Sequence, residues 1–226
     1  MDDFLLFISP FSMFPSMHLI QCVCTHTVCP PPLARLAIEA FPFTQLRERE
    51  REREREMEKI KKTRIVLTGF GPFPGVPKNP TETLLGMIQK EIKRDDVEFD
   101  VFEVSAKGST EQLERLRKIA DAETIWIHLG VNMGIHRFNL EEKAYNCANF
   151  RCPDQRGALL KNEKIVKTDS DAMKTSLPLE DICGQMVSLG HDVTISQDAG
   201  RYLCNYVYMK SLYYCRKKYS HGKCVF

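Results

Sequence analysis

From Arg64 onward the apolar positions follow two alternating rhythms. Short apolar runs at 64–68 (RIVLT) and 124–129 (TIWIHL), rich in β-branched residues and ending at Gly69 and Gly130, predict buried strands, and 97–104 and 193–196 read as further strands. Between them the spacing changes to that of helices. Pro80 can open a helix at its first position, and TETLLGMIQKEI continues it. Residues 109–120 place Leu113, Leu116 and Ile119 on one helical face. A helix over 179–189 stops at Gly190, and a long one runs over 202–219. A further strand is expected over 138–146, loops at 69–80 and 149–157, and a last apolar run begins at 223–226. Strands alternate with helices and several are continuous apolar runs, which predicts an α/β sheet covered on both faces. In such sheets sites gather beyond the C-terminal strand ends, here after Thr68, Leu129 and Ser196.

The first quarter of the chain lacks both rhythms. Residues 47–56 read RERERERERE, which offers no apolar face to a strand or to a helix; as a helix it is solvated all round. Residues 1–46 are apolar but broken by Pro10, Pro15 and Pro30–Pro32, with no 18-residue apolar run. Asp2 and Asp3 stand where a secretion signal carries basic residues. The expectation is a low-complexity extension over 1–56, a functional start at Met57, and one α/β domain over 57–226.

Composition alters this picture little. Of 226 residues, 43% are hydrophobic and 27% charged, an ordinary globular mixture, and the formal charge of +2 gives no electrostatic footprint for nucleic acid or an anionic membrane. Cys22, Cys24 and Cys29 have no fourth ligand at metal spacing, so no metal or other cofactor is expected. The remaining cysteines are scattered without a disulfide-like pattern, which fits a reducing cytosol. No G-x-G-x-x-G or G-K-[ST] is present, which removes dinucleotide- and P-loop readings.

The sharpest candidate chemistry is SQDAGRYLCN at 196–205. Gly200 supplies a strand-to-helix turn, and Cys204 falls in the first turn of the long helix, where exposed N–H groups and the helix dipole lower a thiol pKa. Cys215, further along, reads as core filling. In NLEEKAYN, Glu141 and Glu142 point to opposite sides if the segment is a strand. Arg151, in the loop that follows, can meet a carbonyl or an oxyanion. Each of these alone reads equally well as a structural or solvated residue.

Together they resemble the type I pyroglutamyl peptidases, a family of cysteine exopeptidases. The likeness rests on TGFGPFPGVPKNP at 68–80, LGVNMGIHRFNLEEKAYN at 129–146, FRCPD at 150–154 and DAGRYLCN at 198–205, with Glu141 and Cys204 at the family's spacing. It implies a three-layer α/β/α sandwich with a mixed, mostly parallel sheet. It also implies Cys204 as nucleophile, Glu141 orienting a histidine, and Phe70 and Phe73 lining a pyroglutamate pocket. Arg151 falls near the oxyanion site, and Tyr202 and Leu203 beside the nucleophile. The implied partners are peptides with an N-terminal pyroglutamate, with no nucleic acid or membrane; a homo-oligomer is left open.

The family's histidine would fall at position 228, past Phe226. Helix and strand rises agree: a helix from Cys204 to Lys218 covers roughly 21 Å, and a returning strand at about 3.3 Å per residue regains the thiol near that position. His221 lies at the far helix end and His191 before its strand, whereas His128 and His136 are on the correct side without matching the family position. The expectation is therefore a truncated, nearly inactive family member that also lacks a last helix. A non-catalytic pyroglutamyl-peptide binder and a redox-reactive cysteine protein are the alternatives.

Overall fold

The computed structural model describes residues 47–55, 63–73, 75–120, 123–132, 134, 136–219 and 223–226. The apolar stretch 1–46 with its three cysteines, the expected start at Met57, and His221 lie outside these residues. Residues 47–55 are helical and exposed at every position, the fully solvated helix that strict Arg/Glu alternation permits.

Strand β1 (Ile65–Phe70) pairs in parallel with β2 (Val97–Phe102) and with β3 (Ile125–His128). The short β8 (Cys224–Val225) adds in parallel to β3, giving the order β2-β1-β3-β8. A second parallel ladder joins β4 (Phe138–Glu141) to β7 (Val193–Ser196). The two ladders meet where the Glu141 N–H donates to the Phe226 carbonyl at 2.9 Å. An antiparallel pair, β5 (Lys143–Tyr145) with β6 (Ala172–Lys174), stands beside them. With the helices this is the expected α/β/α sandwich on a mostly parallel sheet.

Local chemistry sets the element boundaries. Helix α1 (Pro80–Glu91) starts with Pro80 after Asn79, whose side chain accepts from the Thr81 N–H. Helix α2 (Ala106–Leu116) begins three residues before the expected Ser109, because Ser105 is its N-cap and accepts from the Gly108 N–H. The β2 strand accordingly ends at Phe102 rather than Val104. The single strand expected over 138–146 is two strands, broken at Glu142. Helix α3 (Leu179–Ser188) packs along β7 at the edge. Helix α4 (Leu203–Tyr219) is apolar on most sides, as a buried helix must be. Leu203, Val207, Tyr208, Met209 and Leu212 along it are all essentially without exposure and join Phe102, Trp126 and Phe150 in one core.

Candidate active site

The turn from β7 into α4 is built for a sharp change of direction. Gly200 takes φ +78, open to glycine at little cost. Its N–H donates to Asp198 Oδ1 at 3.0 Å, and Arg201 Nη1 donates to the same oxygen at 2.6 Å. Leu203 is buried in the core as the first residue of α4. Asn205, fully buried, accepts from the Tyr145 N–H at 2.7 Å and donates to the Tyr145 and Cys147 carbonyls at 2.8 and 3.1 Å. Cys204 is thus held between an apolar anchor and a three-bond amide clamp.

The thiol does not behave as its helix position alone suggests. Burial pushes the Cys204 thiol up to about 12; its own backbone N–H pulls down, and the Glu141 charge pushes up further. The residue as a whole keeps some surface, but its sulfur lies deep among protein atoms, and that depth governs ionisation. The expected lowering of the pKa by the helix N-terminus is therefore overturned: desolvation outweighs the pull of the helix start. One source of the enclosure is clear. A methyl group on Gly130 would lie 2.4 Å from the Phe226 ring and 3.1 Å from Cys204 Sγ, so both crowd the same bare backbone.

Glu141 ends β4 with 7% exposure. Burial pushes its carboxyl up, a hydrogen bond from Ser196 pulls it down, and the Asp198 charge pushes it up again. Its Oε2 is enclosed without a hydrogen-bond partner. Glu142 points elsewhere and pairs with Lys174 at 2.9 Å, the opposite-face arrangement that strand geometry requires. A buried thiol at a helix start, acted on by the charge of a buried carboxylate with one unmet oxygen, suits acyl transfer once an imidazole bridges the two.

The family model for pyroglutamyl peptidases (Peptidase_C15) matches residues 63–226. The chain belongs to the pyroglutamyl peptidase family. It is similar to the pyrrolidone-carboxylate peptidase of Thermococcus litoralis, 34% identical over 154 residues that cover 68% of this chain and 70% of that protein. It is also similar to human pyroglutamyl-peptidase 1, 29% identical over 166 residues, or 72% and 76% of the two chains. Among solved structures, the pyrrolidone carboxyl peptidase of Fervidobacterium islandicum aligns with a TM-score of 0.68 at 28% identity, covering 73% of this chain and 79% of that one. That of Thermococcus litoralis aligns at 0.66 and 33%, covering 73% and 74%. By family the chain is a cysteine-type hydrolase.

Within this pyroglutamyl-peptidase fold the other candidate residues divide between core and surface. Phe70 is buried, edge-on to Phe102 with ring centroids 6.2 Å apart. Phe73 is half-buried, in a loop closed by paired backbone bonds with Val76. Tyr202 packs against Phe150 at 4.8 Å, with its hydroxyl 3.4 Å from the Pro153 carbonyl; burial, then Cys152, pushes its pKa up. Arg151 is exposed on the loop after Phe150. A cavity of about 350 Å³ opens by Pro72, Glu103, Gln155 and Arg156, and Cys204 does not line it.

His128 is fully buried with both ring nitrogens engaged, Nδ1 at 2.7 Å from Thr68 Oγ1 and Nε2 at 2.9 Å from Ser211 Oγ. Burial pushes its pKa down to about 3. His136 is exposed, and His191 precedes β7 at the end opposite Ser196. Among the described residues no cluster of three or more His, Cys, Asp or Glu side chains is placed to hold a metal, and no helix is long and apolar enough to cross a membrane.

Three polar residues that position the loops were not singled out from sequence. Asn79 Nδ2 donates to the Gly71 carbonyl at 2.9 Å, and Thr81 Oγ1 accepts from the Phe70 N–H at 2.9 Å, which pins the GFGPF loop. Asp154, 4% exposed, accepts from the N–H groups of Ala106, Arg156 and Ala158 at 2.8–2.9 Å. Asn ahead of Pro at a helix start, and Asp three residues before Gly in a loop, are the signals that point to these roles.

Proposed function

We propose that Cys204 is the nucleophile of a pyroglutamyl exopeptidase site and Glu141 its orienting carboxylate, and that the 226-residue chain binds pyroglutamyl peptides but turns them over slowly. The observation that carries this reading is the enclosed, unpartnered Oε2 of Glu141 beside a thiol held protonated by burial. An imidazole seated there donates one N–H to Glu141 and takes the thiol proton on its other nitrogen. The thiolate then attacks the pyroglutamyl carbonyl, the amine leaves with that proton, and water cleaves the thioester to free pyroglutamate and restore the thiol. Among the described histidines, His128 is committed to Thr68 and Ser211, His136 is exposed, and His191 belongs to the other strand end.

The lactam of pyroglutamate is flat and neutral. The half-buried Phe73 and Tyr202 supply aromatic faces, with the buried Phe70 in the same loop as Phe73, and Arg151 supplies a cation for the oxyanion. The six described cysteines are all unpaired, which supports a reducing cytosol as the place where such peptides are met.

The test is release of a fluorophore from a pyroglutamyl amide by the full chain, with Cys204→Ala as control. Slow, Cys204-dependent release that rises when free imidazole is added supports the proposal. Release unaffected by Cys204→Ala overturns the nucleophile. Release as fast as that of the Thermococcus litoralis enzyme measured in parallel overturns the slow-turnover claim.

A further inference from the structure

We infer that Tyr208 is a positioning residue that fixes the separation between the Cys204 thiol and the Glu141 carboxylate. This rests on the catalytic pairing proposed above. Tyr208 follows Cys204 by one helical turn, on the same face of α4. It is fully buried, and its hydroxyl donates to the Glu141 carbonyl at 2.7 Å. The Glu141 N–H is held from the other side by the Phe226 carbonyl at 2.9 Å. Both backbone groups of Glu141 are therefore tied, one of them directly to the helix that carries the thiol.

The neighbouring bonds reinforce the tie. The Thr175 hydroxyl also bonds the Tyr208 oxygen, while the Thr175 N–H donates to the Glu142 carbonyl at 2.9 Å. The Tyr208 ring lies 6.0 Å from that of Phe226. Burial pushes the phenol pKa up, so the hydroxyl stays a donor at working pH. A phenylalanine would fill the same space but leave a carbonyl unpaired at the strand end that bears Glu141. Ring packing alone does not call for the hydroxyl; holding Glu141 does.

The experiment reads how strongly Glu141 acts on Cys204, without needing turnover. The alkylation rate of Cys204 by iodoacetamide at pH 8 is followed in the full chain by mass mapping of its peptide. Removing the nearby charge with Glu141→Gln raises the thiolate fraction, and the rate rises roughly three- to tenfold. The same Glu141→Gln change is then made in a Tyr208→Phe background, and there the rise shrinks to less than half. Tyr208→4-aminophenylalanine, which keeps a donor at that place, restores it. It also decides the question if Tyr208→Phe does not fold, since an unchanged response there supports the tie and a lost one overturns it. Tyr206→Phe, one residue past Asn205 on another face, leaves the response intact. An undiminished rise in Tyr208→Phe overturns the positioning role and leaves the Cys204–Glu141 pair standing. No rise from Glu141→Gln in the parent chain overturns the pair itself, and the inference with it.

Discussion

The Nε2 of His128 lies 2.9 Å from the hydroxyl of Ser211, which ties the end of β3 to the helix that carries Cys204. Through Nδ1 the same ring reaches Thr68 on β1 at 2.7 Å. One neutral imidazole thus links two strands and a helix inside the core.

That imidazole makes the fold acid-labile. Its pKa is about 3 in the fold against an ordinary 6.5, so between these values the unfolded chain binds a proton that the folded chain refuses. Stability from this group is complete above pH 6.5 and falls as pH drops toward 3, by up to about 1.4 kcal/mol per pH unit. Urea unfolding at a series of pH values from 7 to 4 should show a steeper loss for the parent chain than for His128→Gln. Equal slopes would contradict the assignment.

Asp154 anchors the loop that carries Arg151. Three backbone N–H groups converge on its buried carboxylate, one of them from Ala106 in the first turn of α2. Asp154→Ala strands these donors and should cost about 3 kcal/mol or more, because bonds to a charged acceptor are strong and their loss leaves buried groups unpaired. Asp154→Asn, which keeps one acceptor oxygen, should cost about half as much. Denaturant unfolding gives the ranking, and hydrogen exchange at Ala106 and Ala158 should rise first.

Much of this fold is legible in the sequence because burial dictates it. The runs behind β1 and β3 are mostly apolar, and the long α4 declares itself by length and by Gly200 before it. Features that depend on a distant partner are not legible. AMK at 172–174 carries no strand pattern of its own and forms β6 by pairing with β5, Met173 opposite Ala144. Ser105 looks like any strand-end serine until it caps α2. The site follows the same rule. Glu141, Cys204 and Arg151 carry recognisable chemistry, and Asn79 and Asp154 leave only a faint turn or cap signal, whereas Asn205 acts through bonds to the distant Tyr145 and Cys147 backbone that no local pattern displays. The sign of the Cys204 shift is hidden for this reason: the dipole belongs to its own helix, but the burial comes from distant segments, Gly130 and Phe226 among them.

Gly200 offers a clean measure of backbone strain in the turn before the thiol. A methyl group there meets nothing within 4 Å, so the cost of Gly200→Ala comes from φ +78 alone. The expected loss is about 1–2 kcal/mol, with Gly200→Asn losing less because asparagine tolerates that region. A shift in thermal midpoint reads both, and an unchanged midpoint for Gly200→Ala would show that the turn relaxes.

Gly130 tests whether Phe226 and Cys204 share one space. A Cβ at this position would stand 2.4 Å from the Phe226 ring, closer than real contacts come, and 3.1 Å from the Cys204 sulfur. The Phe226 ring is not free to slide away, because it is wedged among Phe70, His128 and Tyr208 with centroids 6.0–6.4 Å apart. Gly130→Ala should therefore destabilise by about 1–3 kcal/mol, as overpacking does. It should also change the alkylation rate of Cys204, since the sulfur is the other neighbour. Phe226→Leu alone removes ring contacts and costs stability, yet combined with Gly130→Ala it makes room for the new methyl. The double variant should be more stable than the sum of the single losses allows, by about 1 kcal/mol. Strict additivity would mean that the ring and the glycine do not compete, and that the thiol is enclosed by something else.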